Sequence, residues 1–158
     1  MAATSTPKRV STKIVNYWLP VAAMLGVMYY FSTDVFSGEN TRGIVETVMG
    51  WIAPHASQHT MARVHHFVRK GAHFAEYAML AALLFRAFKA DSRWAWRLRW
   101  FIYSQGIVVA WALLDELHQS FTRRRGGSIY DSALDTSGGL FVLLVIWLLS
   151  LRKKQRAT

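Results

Sequence analysis

The sequence contains no cysteine and few acidic residues. Among its 158 residues there are no Cys, nine Asp and Glu, and three Pro. The absence of Cys excludes a disulfide framework, a thiolate metal site and a cysteine nucleophile. Charged residues make up 18% of the chain and hydrophobic residues 53%, against roughly 25% charged residues in an ordinary soluble domain. This balance favours lipid as the solvent, and the length allows one domain.

The formal net charge of +10 fits either a nucleic-acid binder or a membrane protein, depending on where the charges lie. The basic residues form blocks between long apolar runs, and the aromatic residues lie inside those runs. A nucleic-acid groove would instead interleave basic and aromatic side chains. We therefore expect no nucleic-acid partner.

Four apolar segments of 16 to 20 residues are visible, near the 20 or so residues that a helix needs to cross about 30 Å of hydrocarbon. They run from Ile14 to Phe31, from His73 to Phe88, from Leu98 to Leu117 and from Ala133 to Leu151. The sequence predicts an all-α fold, an integral membrane bundle of about four transmembrane helices at residues 14–151. We expect an N-terminal tail at 1–13 and a basic tail at 152–158, both cytoplasmic.

A loop of about 40 residues is expected between the first two crossings. The spacing of apolar residues from Gly43 to Ile52 predicts a short helix lying in the membrane interface, ended by Pro54. The rest of this loop is histidine-rich. We interpret its four histidines as solvated or interfacial rather than as a metal site: His55, His59, His65 and His66.

The distribution of positive charge predicts the orientation. With both termini and the short second loop in the cytoplasm, that side holds twelve of the nineteen Lys and Arg, as the positive-inside rule favours. Of the nine acidic residues only Asp91 then lies inside. The exception is Arg123-Arg124-Arg125, three cations in an outer loop. We expect a multi-pass membrane protein.

Most of the unexpected polarity lies in three stretches at the outer ends of the predicted helices. On the second helix, an arc of about 120°, at 100° per residue, contains Lys70, His73, Glu76 and Tyr77. One face of that helix is therefore polar. The other two stretches end the third helix and lead into the fourth. The predicted site consists of Lys70, His73, Glu76, Tyr77, Asp115, Glu116, Gln119, Arg125, Ser128, Asp131 and Asp135.

An antiparallel bundle brings these helix ends to one depth. A charge near hydrocarbon costs a few kcal/mol unless it faces the bundle interior and is paired. We therefore expect a functional site. The alternative is a network of salt bridges that only fixes the register of the helices.

The three stretches resemble the VanZ-like family of small bacterial membrane proteins. The resemblance rests on Lys-x-x-His-Phe-x-Glu-Tyr, Asp-Glu-Leu-His-Gln-x-Phe and Arg-x-Gly-Ser-x-x-Asp in this order, followed by Gly138-Gly139, and it covers Lys70 to Gly139. Two positions depart from the family pattern. Arg123-Arg124 stands where Pro-Gly is usual, and Asp135 stands where Asn is common.

The resemblance implies a bacterial plasma-membrane protein whose polar face meets an envelope lipid, a lipid-linked glycan or a lipidated antibiotic. The family's named member is associated with resistance to the glycopeptide teicoplanin. A role in glycopeptide resistance is therefore an expectation for this chain.

Two functional hypotheses stay open at this point, and the sequence does not decide whether the protein is an enzyme. In the first, Lys70 and Arg125 bind an anionic headgroup while the carboxylates hold them in place. In the second, a membrane enzyme acts on a lipid-linked substrate, with His73 or Glu76 as general base.

No cofactor is predicted and no metal site is assigned. A divalent cation remains an alternative within the enzyme hypothesis, held by Asp115 and Glu116. These oxygen ligands suit Mg²⁺ or Ca²⁺. Zinc is less natural, because only His73 and His118 are close.

Overall fold

A computed structural model of the chain describes residues 7–32, 38–93, 96–120 and 129–155. These residues form five α-helices and contain no strand, so the all-α prediction is confirmed. The helices are α1 (Pro7–Ser32), α2 (Gly38–Ile52), α3 (Gln58–Lys89), α4 (Leu98–Ser120) and α5 (Ile129–Gln155).

The prediction of a long first loop is wrong over much of its length. Helix α3 begins at Gln58 rather than at Lys70, and α2 begins five residues before the predicted Gly43. Ser57 starts α3 as its N-cap, because its side chain accepts a hydrogen bond from the backbone N–H of Thr60 at 3.2 Å. Three of the four loop histidines therefore lie on α3.

Helix α3 is the centre of the bundle and contacts each of the other four helices. It has 32 residues and is about 48 Å long at 1.5 Å per residue. Its core face packs against α4 and α5 through fully buried side chains, which include Leu80, Leu84, Val108 and Leu143. The position of α3 explains how a polar face on this helix can be shared by its neighbours.

The backbones of α3 and α5 approach closely at Gly138, as small residues permit in membrane helices. A Cβ atom at Gly138 would lie less than 3.0 Å from the Phe74 carbonyl oxygen of α3. At Gly139 it would lie 2.8 Å from the Val108 side chain of α4. The glycine pair therefore sets the separation of α5 from both neighbours.

Two helices of the described part are long and apolar enough to cross a membrane, through Ile14–Ser32 and Tyr130–Arg152. These segments support two of the four predicted crossings. Helices α3 and α4 carry the polar stretches at one end, and neither is among these two candidate spans. Large apolar side chains nevertheless face outward on α4, where Leu113, Leu114 and Leu117 are all more than half exposed.

At the end of the bundle opposite the polar stretches, side-chain contacts join α1 to the last turn of α3 and the segment that follows it. The Tyr17 hydroxyl donates a hydrogen bond to Asp91 at 2.5 Å, and the Arg86 guanidinium lies 5.2 Å from the centre of the Tyr17 ring. These contacts fix the axial position of α1 against α3.

Candidate functional site

The polar face of α3 points into the bundle at the level of Lys70 to Tyr77. Tyr77 is 1% exposed, whereas His73 and Glu76 are partly buried. Their spacing places the three side chains on neighbouring rows of one helix face. An otherwise apolar bundle thus has an ionisable lining at this level.

Lys70 and Asp131 join α3 to α5. The Lys70 ammonium donates a hydrogen bond to the Asp131 carboxylate in an ion pair, and both side chains are about one-third exposed. Asp131 lies in the first turn of α5, where a carboxylate also interacts favourably with the helix dipole. This pair lies at the water-facing rim of the site.

Asp135 lies one turn deeper on α5 and is only 1% exposed. Its Oδ1 atom accepts no hydrogen bond from any residue within the described ranges. The Nδ1 atom of His73 lies 3.8 Å from it, beyond hydrogen-bond distance. The sequence did not identify a partner for Asp135, and the structure places His73 beside it.

Asp115 approaches the same point from α4. Its carboxylate accepts a hydrogen bond at 2.8 Å from the Gln119 side chain, and the same amide group lies 3.3 Å from the Ser32 hydroxyl of α1. One ligand atom each from His73, Asp115 and Asp135 lie within 4.8 Å of one another. Three helices therefore converge on these three side chains.

Two cavities adjoin the three side chains. A polar cavity of about 90 Å³ lies between α3, α4 and α5 and is lined by residues that include Arg69, Lys70, His73, Glu116, Asp131 and Asp135. An apolar cavity of about 260 Å³ lies between α1, α2, α3 and α4 and is lined by residues that include Met28, Val45, Val68, His73, Glu76 and Asp115. Arg69 and His73 line both.

The structure divides the predicted site between these two cavities. Lys70, Glu116, Gln119, Asp131 and Asp135 line the polar cavity, and His73 belongs to both. Glu76, Tyr77 and Asp115 line the apolar one. Arg125 and Ser128 lie outside the described residues, so the predicted contact between Arg125 and Glu76 stays a prediction.

Sequence reasoning missed three basic residues of the site. Arg69 lines both cavities, His66 lines the polar one and His65 lines the apolar one, yet the histidine-rich stretch was interpreted as a loop. A signal was present, because His66, Lys70 and His73 continue one helical face at spacings of four and three residues. His118 was expected near the cluster but instead stacks on Tyr29, with ring centres 5.2 Å apart.

The chain was compared with protein families, curated proteins and solved structures. The family model described as VanZ/LLP1 matches residues 17–150, which includes both cavities. No curated protein and no solved structure gives a significant match.

Proposed function

The chain belongs to the VanZ/LLP1 family, and from that premise we propose that it is a four-crossing protein of a bacterial plasma membrane that binds an anionic envelope lipid at the outer end of its bundle. The polar cavity receives the headgroup, and the apolar cavity receives part of the hydrocarbon chain. The observation that carries the proposal is the meeting of the two cavities at Arg69 and His73. An amphiphile requires such a pair of adjoining environments.

The dimensions of α3 support its role as a crossing. The stretch from Lys70 to Lys89 spans about 28 Å at 1.5 Å per residue, close to the 30 Å or so of a hydrocarbon core. Lys70 and Lys89 then lie at opposite boundaries, and the part of α3 before Lys70 projects outside. The exposed apolar residues of α4 supply a lipid-facing surface for the third crossing.

The charges of the polar cavity support an anionic headgroup with hydroxyl groups. Arg69 and Lys70 offer donors to a phosphate, and the guanidinium of Arg69 can bond two of its oxygens. The carboxylate of Glu116 offers acceptors to sugar hydroxyls. A lipid-linked glycan carries both groups, phosphate and sugar.

The size of the cavities favours one headgroup over a whole antibiotic. At about 90 Å³ the polar cavity is well below the roughly 300–1,000 Å³ of pockets that enclose drug-sized ligands. A phosphate or a single sugar fits this volume better than a glycopeptide does. A role in glycopeptide resistance would then act through the envelope lipid, by binding it rather than the drug.

An enzyme acting on a lipid-linked substrate is the second candidate. It is favoured by His73, an acid–base group that lies between the two cavities and beside Asp135. A substrate bound in both cavities would place its phosphate-to-lipid linkage near this imidazole. We prefer the binding function to the enzyme, because the sequence has no nucleophile motif to act with His73.

Native mass spectrometry tests the binding proposal. The detergent-purified protein is mixed with an envelope lipid extract, and retained lipid is compared with that of an Arg69→Gln, Lys70→Gln double variant. We expect the original protein to retain an anionic lipid and the variant to lose it. Arg63→Gln on the same helix is the control, since Arg63 is exposed and lines neither cavity. Equal retention by all three proteins would contradict the proposal.

A further inference from the structure

Three side chains from three different helices form a potential set of metal ligands. His73 of α3, Asp115 of α4 and Asp135 of α5 each bring a ligand atom within 4.8 Å of the other two. In a tetrahedral site with bonds of about 2.0–2.2 Å, donor atoms lie about 3.3–3.6 Å apart. The 3.8 Å between His73 Nδ1 and Asp135 Oδ1 is close to that range. A ligand atom of Asp115 at the 4.8 Å limit would have to approach by about 1.2–1.5 Å, which a side-chain rotation supplies.

A second, independent observation is the environment of Asp135. Its side chain is almost completely buried, and the Oδ1 atom has no hydrogen-bond donor among the described residues. Burying an ionised carboxylate without a partner is costly. Asp115, Glu116, Asp131 and Glu76 all lie close enough to act on Asp135 electrostatically, and they add negative potential.

Among the described residues, no Lys or Arg side chain forms an ion pair with Asp135. The Lys70 ammonium is paired with Asp131 at the rim of the site, and the neutral form of His73 supplies a lone pair rather than a charge. A divalent cation bound by Asp135, Asp115 and the imidazole would compensate two carboxylates at once. It would also supply a partner to Asp135 Oδ1, which accepts no hydrogen bond from the described residues.

We propose that His73, Asp115 and Asp135 bind one divalent transition-metal ion, with Zn²⁺ and Mn²⁺ as the fitting members. The mixed set of one imidazole nitrogen and two carboxylates suits these ions better than Ca²⁺, which takes oxygen ligands only. Three protein ligands also leave a coordination position for water or for a ligand oxygen. The site rests on these three side chains and does not depend on lipid binding.

The location of the site gives the ion a role. His73 lines both cavities, Asp135 lines the polar one and Asp115 lines the apolar one, so the ion lies where the cavities meet. Its open position is therefore accessible to a phosphate oxygen in the polar cavity. The sequence alone predicts no metal site, with a divalent cation held by Asp115 and Glu116 as the alternative. The structure assigns the ligand role to Asp135 and His73 in place of Glu116.

The experiment uses the full chain, purified in detergent without a histidine tag and stripped with a chelator. Binding of Zn²⁺ and of Mn²⁺ is measured by titration calorimetry, with Mg²⁺ and Ca²⁺ as comparison ions. We expect equimolar binding of Zn²⁺ or Mn²⁺. His73→Gln, Asp115→Asn and Asp135→Asn should each weaken it by more than the roughly 10–100-fold that loss of an outer-shell partner costs.

Matched controls test whether other histidines and carboxylates bind the ion. His55→Gln with His59→Gln, and separately Glu46→Gln, change exposed residues that line neither cavity and should leave the affinity unchanged. The chain has no cysteine, so thiolate binding does not contribute. Absence of binding in the original protein would overturn the proposal, as would equal affinity in the three ligand variants.

A spectroscopic measurement on the unmodified protein covers the case in which the ligand variants fail to fold. Pulsed electron paramagnetic resonance of bound Mn²⁺ detects nitrogen ligands, and the site predicts a single coordinating imidazole. If the folded protein shows no nitrogen coupling, or shows two or more imidazoles, the ion is held elsewhere and the assignment is wrong.

Discussion

Lys70 of α3 and Asp131 of α5 form an ion pair at the rim of the polar cavity, with side chains 34% and 36% exposed. A pair this exposed contributes about 0–1 kcal/mol to stability. The pair therefore contributes little to holding α3 and α5 in register. The Lys70 ammonium lies at the mouth of the polar cavity, where an anionic ligand would enter.

The first prediction separates a binding role from a bracing role for this pair. Lys70→Gln and Asp131→Asn each remove the ion pair and should lower the free energy of unfolding by similar small amounts, up to about 1 kcal/mol. Their effects on lipid retention should differ. Lys70→Gln removes a donor to the headgroup and should reduce retention, whereas Asp131→Asn removes a competing carboxylate and should preserve or increase it. Parallel losses in both variants would favour a bracing role.

The second prediction concerns Arg69, the basic residue shared by both cavities. Arg69→Lys keeps the charge but loses the planar group that bonds two oxygens, so binding of a phosphate should weaken in a protein that still folds. Arg63→Lys is the matched control, and retained lipid with the melting temperature is the readout. The same change at Arg125, which the sequence motif identifies, should act in the same direction. Full retention by Arg69→Lys would argue against a phosphate contact.

The third prediction tests the close approach of α3 and α5. Gly138→Ala places a methyl group against the backbone of Phe74 and should cost about 1–3 kcal/mol of stability through overpacking. Gly106→Ala on α4 is the control, because a Cβ atom at Gly106 would meet no neighbouring helix within 4 Å. Since Ala is the better helix former, this change should leave stability unaltered or raise it by up to about 1 kcal/mol. Denaturant unfolding in detergent measures both. Equal stability of the two variants would show that the helices can separate freely at this point.

The fourth prediction concerns topology. A cysteine replacing Ser92, in the segment after α3, should resist an impermeant thiol reagent in intact cells, and one replacing His55, before α3, should react. The basic asymmetry of the chain predicts this orientation. The lack of native cysteine removes background labelling. Labelling of both positions from outside would exclude a crossing by α3.

The fifth prediction uses Glu76 to distinguish binding from catalysis. Glu76 lines the apolar cavity beside His73, Tyr77 and Asp115. If it acts as a general base, Glu76→Gln should abolish turnover while lipid is still retained. If it holds the ligand or its basic partners in place, the variant should lose lipid and function together. The two quantities are measured on the same purified protein.

The sequence predicted the helical fold and the three polar stretches because both depend on local pattern. Long apolar runs identify α1 and α5, and the motif from Lys70 to Tyr77 shows its polar face through helical spacing alone. The upstream half of α3 was missed because it has no apolar run. In that region the only sign of a helix is that the polar face of α3 extends toward the N-terminus, from Lys70 to His66, at helical spacing.

The geometry of the site was beyond sequence reasoning for a different reason. The approach of Asp135 to His73 depends on how closely α5 lies against α3, and a single residue, Gly138, sets that separation. The motifs place both side chains near one end of the bundle. They do not give the distance between the two side chains, which decides whether both can bind one metal ion.

The backbone contact at Gly138 also restricts how a lipid can enter. With α3 and α5 in contact there, their seam is closed to a hydrocarbon chain at the depth of Phe74. The apolar cavity lies on the other side of α3, where Met28 of α1 and Val45 of α2 form part of its wall. The two sides of α3 therefore differ in access from the bilayer. A lipid bound as proposed would reach His73 from the side of α1 and α2, not between α3 and α5.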